Sequence, residues 1–239
     1  MIENSGEGTD AVFSTAHLRL SENMETLVLQ GGADLQGYGN SQANKLYGNT
    51  GSNLLDGGAG ADVMRGDTGN DVYFVDDAGD LMFENLGEGT DAEFATVSQM
   101  LAANVETLVL QGSADLTGTG NGLDNKLFGN AGENTLSGGA ENDLIDGGAG
   151  FDVLNGGAGN DTFVFGDDFA GEVIQDFTAG QDSLRFVGFG TAAEGATFMF
   201  VPGPGSQFWQ VHSGLDGHNE FITINGFGTG SVINDFGFV

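Results

Sequence analysis

Asp and Asn residues recur every nine positions in two stretches of this 239-residue chain. They are Asp62, Asp71, Asp143, Asp152 and Asp161, and in the same phase Asn44, Asn53, Asn125 and Asn134. Each ends a glycine-rich hexapeptide, most clearly in residues 156–161. Such side chains offer oxygen ligands, and Ca²⁺ accepts about 6–8 oxygens in flexible geometry, whereas Mg²⁺ prefers a stricter octahedron. Because Zn²⁺ and Cu²⁺ prefer nitrogen and sulfur ligands, the spacing predicts Ca²⁺ sites.

A nine-residue row, counted from its first Gly, explains how these side chains are positioned. Rows begin at Gly39, Gly48, Gly57, Gly66, Gly120, Gly129, Gly138, Gly147 and Gly156. The hexapeptide has the composition of a turn, and the three residues after it, with an apolar centre, predict a short strand. Two rows make one coil, so rows 18 residues apart should stack at about 4.8 Å. This stacking would place Asp143 between Asn125 and Asp161.

The sequence also contains an internal duplication, since residues 3–67 match residues 84–148 at a constant offset of 81. We expect three parts: a first repeat unit at 1–83 with rows at 39–74, a second at 84–165 with rows at 120–164, and a cap at 166–239. Segments 9–38 and 90–119 should continue the coil with longer, less regular strands. Several acids in and between these segments are second-tier ligand candidates for which a solvated turn position is the favoured interpretation: Asp10, Asp34, Asp80, Asp91 and Asp115.

Composition narrows the possible functions. The chain has 44 Gly, no Cys and a formal net charge of −30, which excludes an electrostatic nucleic-acid binder and disfavours docking on anionic membranes. Without Cys there is no disulfide and no thiolate metal site. The sequence shows neither a Sec-type leader at its start nor an apolar run long enough to span a membrane, so we expect no membrane insertion. So acidic a chain repels itself unless a cation neutralises it.

The rows resemble the repeats-in-toxin (RTX) calcium-binding nonapeptide, Gly-Gly-x-Gly-x-Asp-x-apolar-x, most strongly at 57–74 and 138–164. The resemblance implies an all-β fold, a right-handed parallel β-roll with about five or more Ca²⁺ ions between stacked turns. It implies that the five row-end Asp residues are ligands and that the four Asn sites are weaker or partly filled. It also implies carbonyl ligands from the turn glycines Gly58, Gly60, Gly69, Gly148, Gly150, Gly157 and Gly159. Glu141 replaces the usual Gly, which leaves the geometry of that turn open.

The last third of the chain has a different pattern. After Phe165 the rows end and aromatic residues become frequent. Alternation at 198–201 and 221–224 predicts antiparallel strands, with a turn at 202–205, so this part is expected to be an irregular antiparallel cap. Residues 171–182 resemble the segment that follows the last row in RTX exoproteins, where Asp176 and Asp182 would hold one more cation. Residues 235–239 resemble a type I secretion signal.

Enzyme motifs do not support a catalytic function. The sequence has no His-Glu-x-x-His, no Gly-x-Ser-x-Gly, no phosphate loop and no Cys nucleophile. Its three histidines, His17, His212 and His218, fit surface positions better than a metal or catalytic pair. We expect no enzyme activity in this sequence, with any catalytic domain lying upstream of it.

The sequence therefore predicts a secreted, extracellular, monomeric Ca²⁺-binding β-roll that folds when it binds Ca²⁺ and leaves the cell through a type I secretion apparatus. One interpretation makes it the C-terminal folding and secretion module of a larger extracellular protein. The alternatives are a stand-alone extracellular calcium-binding protein and an adhesion or glycan-binding protein. Polyanionic glycans would need a basic face, and the chain has only 5 Lys and Arg residues.

Overall fold

The computed structural model describes residues 8–166, 170–203, 206–225 and 236–239. Within these ranges the regular structure is β, apart from a 3₁₀ turn at Ala192–Glu194. The chain divides into two compact units, Met1–Val109 and Leu110–Val239. The described residues include no helix that is long and apolar enough to cross a membrane.

The first unit is built from strands of two to four residues. These are β1 Ala11–Ser14, β2 Leu18–Arg19, β3 Thr26–Leu29, β4 Gln36–Tyr38, β5 Lys45–Tyr47, β6 Leu54–Asp56, β7 Val63–Arg65, β8 Val72–Val75, β9 Leu81–Met82, β10 Ala92–Ala95 and β11 Gln99–Met100. Odd-numbered strands pair in the order β1-β3-β5-β7-β9 and even-numbered strands in the order β2-β4-β6-β8-β10, always in parallel. Successive strands thus alternate between two sheets. Strand β12, Thr107–Leu110, spans the boundary between the units.

The second unit repeats this construction and adds longer strands. Its elements are β13 Thr117–Thr119, β14 Lys126–Phe128, β15 Thr135–Ala140, β16 Leu144–Asp146, β17 Val153–Ala158, β18 Thr162–Phe165, β19 Val173–Ile174, β20 Ser183–Phe186, β21 Thr197–Gly203, β22 Ser206–His212, β23 Asn219–Ile224 and β24 Phe236–Phe238. Parallel pairing runs in the orders β14-β16-β18-β20-β24 and β13-β15-β17-β19-β23. The expected parallel β-solenoid is therefore confirmed.

Strand register confirms that rows 18 residues apart stack on each other. Leu46 of β5 pairs with Met64 of β7, and Ile145 of β16 pairs with Phe163 of β18. The apolar residue at the eighth row position is 0% exposed in every row: Leu46, Leu55, Met64, Tyr73, Leu127, Leu136, Ile145, Leu154 and Phe163. These residues form the core ladder that the nine-residue period predicts, because a three-residue strand buries only its central side chain.

Parallel stacking continues beyond the last row, which the change of sequence pattern at Phe165 did not indicate. Strand β19 pairs with β17, β20 pairs with β18, and β24 pairs with β20. Ile174, Leu184 and Phe186 are 0%, 1% and 0% exposed, so these strands extend the core ladder. They do so without glycine-rich hexapeptides, and a search for the nine-residue row therefore misses them.

The antiparallel part of the C-terminal region is confirmed and is smaller than expected. Strands β21, β22 and β23 pair antiparallel in sequence order. Pro204 and Gly205 of the predicted turn, and Asp235 of the expected secretion signal, lie outside the described residues. The ring of Phe186 lies 5.4 Å from Phe165, 5.3 Å from Phe198 and 5.2 Å from Phe238, measured between centroids. This aromatic cluster covers the end of the apolar core, as a solenoid requires.

Candidate metal centres in the stacked turns

The row-end Asp side chains connect each turn to the turn one coil earlier. The Oδ1 atom of Asp62 accepts the backbone N–H of Asn44 at 2.6 Å, and Asp161 accepts that of Asp143 at 2.9 Å. The same bond links Asp71 to Asn53, Asp143 to Asn125 and Asp152 to Asn134. All five Asp side chains are buried. The structure therefore brings together the row-end residues that the sequence singled out, in the predicted stacking order.

The second carboxylate oxygen of each of these Asp residues is buried and has no hydrogen-bond partner in the protein: Oδ2 of Asp62, Asp71, Asp143, Asp152 and Asp161. Each Oδ2 lies against the first Gly of its own row, where a Cβ would collide with it, as at Gly57 for Asp62 and Gly138 for Asp143. Buried polar atoms in native proteins almost always have a partner, and an unpaired buried charge is strongly disfavoured. The five oxygens thus fit a bound cation.

The backbone of these turns explains why the oxygen stays unpaired. The glycines at row positions 2 and 4 have positive φ: Gly58 76°, Gly60 116°, Gly69 129°, Gly139 113°, Gly148 81°, Gly150 118°, Gly157 98° and Gly159 154°. The N–H at position 2 points away from the row-end Asp, since Gly58 donates to Asp56 and Gly148 donates to Asp146. Glu141, the departure at position 4, has φ 70° and keeps the turn left-handed there, as the glycines do.

Rows that end in Asn have a different turn. Asn44 Oδ1 accepts the backbone N–H of Asn40 at 2.7 Å, and Asn134 accepts that of Asn130 in the same way. The residue at position 2 is Asn in all four of these rows and keeps a negative φ. We name the rows beginning at 57, 66, 138, 147 and 156 the Asp turns, and those beginning at 39, 48, 120 and 129 the Asn turns.

Amide groups in the Asn turns also satisfy carbonyl oxygens of the preceding coil. Asn49 Nδ2 donates to the carbonyls of Gln30 and Ala33. Asn130 Nδ2 donates to those of Gln111 and Ala114. In the Asn turns a side-chain amide thus donates hydrogen bonds to carbonyl oxygens that would otherwise need a cation as their partner.

Burial makes the Asp turns hard to ionise without a cation. Loss of hydration raises the pKa of Asp62, Asp71 and Asp143 to about 7 and that of Asp152 to about 6, with further contributions from neighbouring acids. The pKa of Asp161 is also raised, first by burial and then by Asp182 and Asp176. The carboxyl groups of Asp62, Asp71 and Asp143 would therefore exchange protons for a cation near neutral pH.

Comparison with known sequences agrees with this geometry. The family described as RTX calcium-binding nonapeptide repeat matches residues 38–73, 119–154 and 137–169. The chain carries RTX calcium-binding repeats. The matched ranges contain all five Asp turns and all four Asn turns, so both turn types belong to the RTX rows.

Comparison with whole proteins adds a structural neighbour. A search of curated proteins finds no match to the chain. Among solved structures, extracellular lipase LipA from Serratia marcescens is similar at 20% sequence identity and a TM-score of 0.42. The alignment covers 96% of this chain and 42% of the lipase chain, so the RTX chain spans less than half of that protein's length.

Acidic residues outside the RTX rows continue the stacks of hydrogen-bonded row-end residues by one more coil. Asp80 accepts the N–H of Asp62, and Asp182 accepts that of Asp161. Their second oxygens accept N–H groups of their own turns, from Asp76, Asp77 and Thr178. The two carboxylate oxygens of Asp176 accept the N–H groups of Gly156 and Gly157. The carboxylates of Asp176 and Asp182 therefore differ from those of the Asp turns, because both of their oxygens are hydrogen-bonded.

The expectation that acids between the rows are solvated is wrong for two of them. Asp80 is 7% exposed and Asp91 is 1% exposed, because each accepts a backbone N–H from the last Asp turn in its stack. Asp34 and Asp115 are exposed and Asp10 is half-buried. The difference is one of location, since Asp34 and Asp115 lie at outer turn positions.

Sequence reasoning missed two buried acids that have an unpaired oxygen. Glu84 and Glu172 are 8% and 1% exposed, and each has one oxygen without a hydrogen-bond partner. Burial raises the pKa of Glu84 to about 7 and that of Glu172 to about 8. The 81-residue repeat could have pointed to both residues, because it aligns each with another acid: Glu84 with Glu3 and Glu172 with Asp91.

The histidines do not form a joint site. His212 Nδ1 pairs with Asn219, whereas His218 Nδ1 pairs with Asp216. His17 Nδ1 accepts the backbone N–H of Gln36. Each ring therefore serves a local contact.

Proposed function

We propose that the five Asp turns bind Ca²⁺ and that the chain folds as it binds. The observation that carries this proposal is the set of five buried, unpaired Oδ2 atoms, one in each Asp turn. Asp62, Asp71, Asp143, Asp152 and Asp161 would hold the ions with carbonyl oxygens of the turn glycines, and Asp176 and Asp182 would serve a further ion at the end of the second stack. Bound Ca²⁺ would supply the positive charge that these groups lack.

Folding and binding are expected to be one event because the stacked carboxylates repel each other. The chain carries a net charge of −30, and folding would bury five of its carboxylates near other acids. A cation that binds only the folded chain stabilises it by mass action, and a site that exists only in the folded state makes binding free energy part of folding free energy. The chain would therefore stay expanded without Ca²⁺.

The donor set favours Ca²⁺ over other cations. The Asp turns offer carboxylate and carbonyl oxygens, which suit Ca²⁺, and their stacked geometry does not require the octahedron that Mg²⁺ prefers. Sites in extracellular modules bind in the range of about 10⁻⁴–10⁻³ M. We propose this range here, with the four Asn turns weaker as ligands than the Asp turns.

At the level of the cell we propose a non-catalytic, monomeric folding and secretion module of a larger extracellular protein, exported by a type I apparatus. Support comes from the RTX rows, from the absence of Cys, and from the strong acidity of the chain. A chain that folds only at extracellular calcium levels would remain unfolded in a low-calcium cytosol and fold after export.

Circular dichroism with and without Ca²⁺ tests the folding role. Chelated protein should show little β structure, which should appear cooperatively as Ca²⁺ rises toward millimolar concentrations. Mg²⁺ at the same concentrations should produce no such change. Equal β content in chelator and in Ca²⁺ would overturn the proposal.

A further inference from the structure

Three buried acids meet at the end of the first row array. Asp71, Glu84 and Asp91 bring one oxygen each to within 4.8 Å of one another. Their side chains are 1%, 8% and 1% exposed. Two oxygens bound to one Ca²⁺ at about 2.3–2.6 Å lie at most about 5 Å apart, so the three oxygens fit one coordination shell.

The nonapeptide pattern supplies only one of these acids. Asp71 ends the row that begins at Gly66, whereas Glu84 and Asp91 lie after the row array. Asp71 Oδ2 and Glu84 Oε2 are buried and have no hydrogen-bond partner. Asp91 Oδ1 accepts the N–H of Asp71 at 2.7 Å, which fixes the two carboxylates next to each other.

Tyr73 orients the carboxylate of Glu84. Its hydroxyl accepts the N–H of Gly66 at 2.6 Å and donates to Glu84 Oε1. The same Oε1 also accepts the Gly66 N–H at 3.2 Å. Because Oε1 is held by these donors, Oε2 is left as the oxygen that can bind a ligand.

The cationic side chain of Arg65 forms ion pairs with acids outside this cluster. The Arg65 guanidinium lies 3.1 Å from Asp67 and 3.8 Å from Glu88, at the exposed side of the turn. Three ionised carboxylates this close need a neutralising charge, and a divalent cation would supply it.

We propose that Asp71, Glu84 and Asp91 bind one further divalent cation of the hard, Ca²⁺-like class, and that Tyr73 is a positioning residue for Glu84. The ion would fasten segment 84–91 to the last row of the first array. The inference extends the proposed function, with which it shares Asp71, to a site richer in carboxylates. Because affinity for Ca²⁺ rises with the number of charged ligands, this site should fill before the Asp turns.

The second copy of the repeat lacks this site. At the offset of 81, Asp152 and Glu172 keep the acids of Asp71 and Asp91, but Leu154 replaces Tyr73 and Phe165 replaces Glu84. Phe165 is 1% exposed and lies in the aromatic cluster. The third carboxylate and the phenol are thus both replaced by apolar side chains.

Terbium luminescence and calorimetric ion counting test the site. Tb³⁺ replaces Ca²⁺ at oxygen sites, and its emission on tyrosine excitation requires a phenol close to the ion. Glu84→Gln should lose one ion per chain and most of the Tyr-sensitised emission. Tyr73→Phe should keep the ion count, lower the affinity of the first-filled site about 10–100-fold, and also lose that emission. Circular dichroism in saturating Ca²⁺ confirms that each variant folds.

Glu93→Gln is the matched control. Glu93 is also buried, but its two oxygens accept hydrogen bonds from the Gln99 side chain and the Ala102 N–H. The Glu93→Gln variant should therefore have the ion count and the emission of the wild type. Tyr47→Phe controls for the loss of a tyrosine. An unchanged ion count and unchanged emission in Glu84→Gln would overturn the inference while leaving the Asp-turn proposal intact. A wild-type chain that binds no Ca²⁺ would overturn both.

Discussion

The Asp turns and the Asn turns occupy equivalent places in the solenoid and solve the same problem with different chemistry. Both must gather oxygen atoms from neighbouring coils in a buried space. An Asn turn does so with N–H donors, from the backbone of position 2 and from side-chain amides. An Asp turn leaves one oxygen per carboxylate unpaired. The contrast shows that one nine-residue period encodes both turns whose row-end side chain is hydrogen-bonded within the protein and turns that leave a buried carboxylate oxygen unpaired.

Positions 2 and 6 of the row change together for a physical reason. Asn at position 2 keeps a negative φ, so its N–H reaches the row-end amide. Gly58 and Gly148 at position 2 have positive φ and turn their N–H groups toward the preceding row. In each array the Asn turns come first, where their amides bind carbonyls of less regular coils such as those of Gln30 and Ala33.

Acidification should act in opposite ways on the calcium-free and the calcium-bound chain through the Asp turns alone, and this is the largest expected effect. A carboxyl group whose pKa rises from 3.8 to about 7 on folding, as for Asp62, Asp71 and Asp143, binds more protons in the folded state. Calcium-free chain should therefore gain β structure as the pH falls from about 7 toward about 4, and lose it as the pH rises again. Circular dichroism of dialysed, metal-free protein measures this.

Saturating Ca²⁺ should reverse the direction, because ligation requires ionised carboxylates. Acid would then weaken the folded state. The Asn turns do not titrate in this range, so neither trend can arise from them. Light scattering must show that the chain stays dispersed, since its isoelectric point is near pH 4.1. A pH dependence of the same sign with and without Ca²⁺ would contradict the comparison.

Asp143→Asn isolates the contribution of one Asp turn. The new amide keeps the oxygen that accepts the Asn125 N–H and replaces the charged, unpaired Oδ2 with an uncharged NH₂ group. Each ion taken up on folding adds about 1.4 kcal/mol to the free energy of unfolding per tenfold rise in Ca²⁺ above its dissociation constant. Denaturant unfolding at several Ca²⁺ concentrations measures how steeply the free energy of unfolding rises with the logarithm of the Ca²⁺ concentration. This Ca²⁺ slope should be smaller in Asp143→Asn by the contribution of one ion.

Asp115→Asn is the control for Asp143→Asn, because it removes a formal charge from an exposed turn of the same unit. Its slope should match that of the wild type. A slope that falls equally in both variants would indicate a general charge effect and would remove the distinction between turn types.

Conversion of an Asn turn into an Asp turn should need two substitutions, at row positions 6 and 2. Asn134→Asp alone keeps the contact with the Asn130 N–H but loses the Nδ2 donor to Asn130 Oδ1, so it should destabilise the fold by about 1–3 kcal/mol at any Ca²⁺ concentration. Adding Asn130→Gly makes the row Gly-Gly-Ala-Gly-Glu-Asp, as in an Asp turn. The double variant should gain the slope of one more ion, and a double variant with no gain would show that position 2 does not decide turn type.

Glu141→Gly should have the smallest effect. Glu141 has φ 70° where other Asp turns have Gly, and a left-handed conformation costs a residue with a side chain about 1–2 kcal/mol. Part of this gain is lost because Gly makes the unfolded chain more flexible. Thermal unfolding in saturating Ca²⁺ should show a rise of no more than about 1 kcal/mol with an unchanged Ca²⁺ slope. Destabilisation would mean that the Glu141 side chain supports the turn.

Much of the solenoid could be predicted from the sequence because its period is short and repeated. Burial of the eighth position and the 18-residue register followed directly from the row, as Leu46 and Met64 show. The family assignment followed from the same rows. Local rules sufficed because each row contacts the rows 18 residues before and after it.

Features that depend on non-repeated segments could not be predicted in this way. Glu84 lies 18 residues after Gly66, one coil further along the stack, but it stands outside the rows, so the nine-residue pattern did not single it out as a neighbour of Asp71. Strands β19 and β20 extend the core without the glycine turns that mark a row. The hydrogen bonds of Asn44 and Asn134 depend on the sign of φ at position 2, which residue type alone did not reveal.

The 18-residue step between paired strands has a kinetic consequence. Folding rates of small proteins fall as the average sequence separation of contacts grows relative to chain length. Here the step is 18 residues in a chain of 239, a ratio of about 0.08, which is typical of helical bundles rather than all-β proteins. An all-β chain built in this way closes only short loops, so the search for distant strands would not limit how fast it folds.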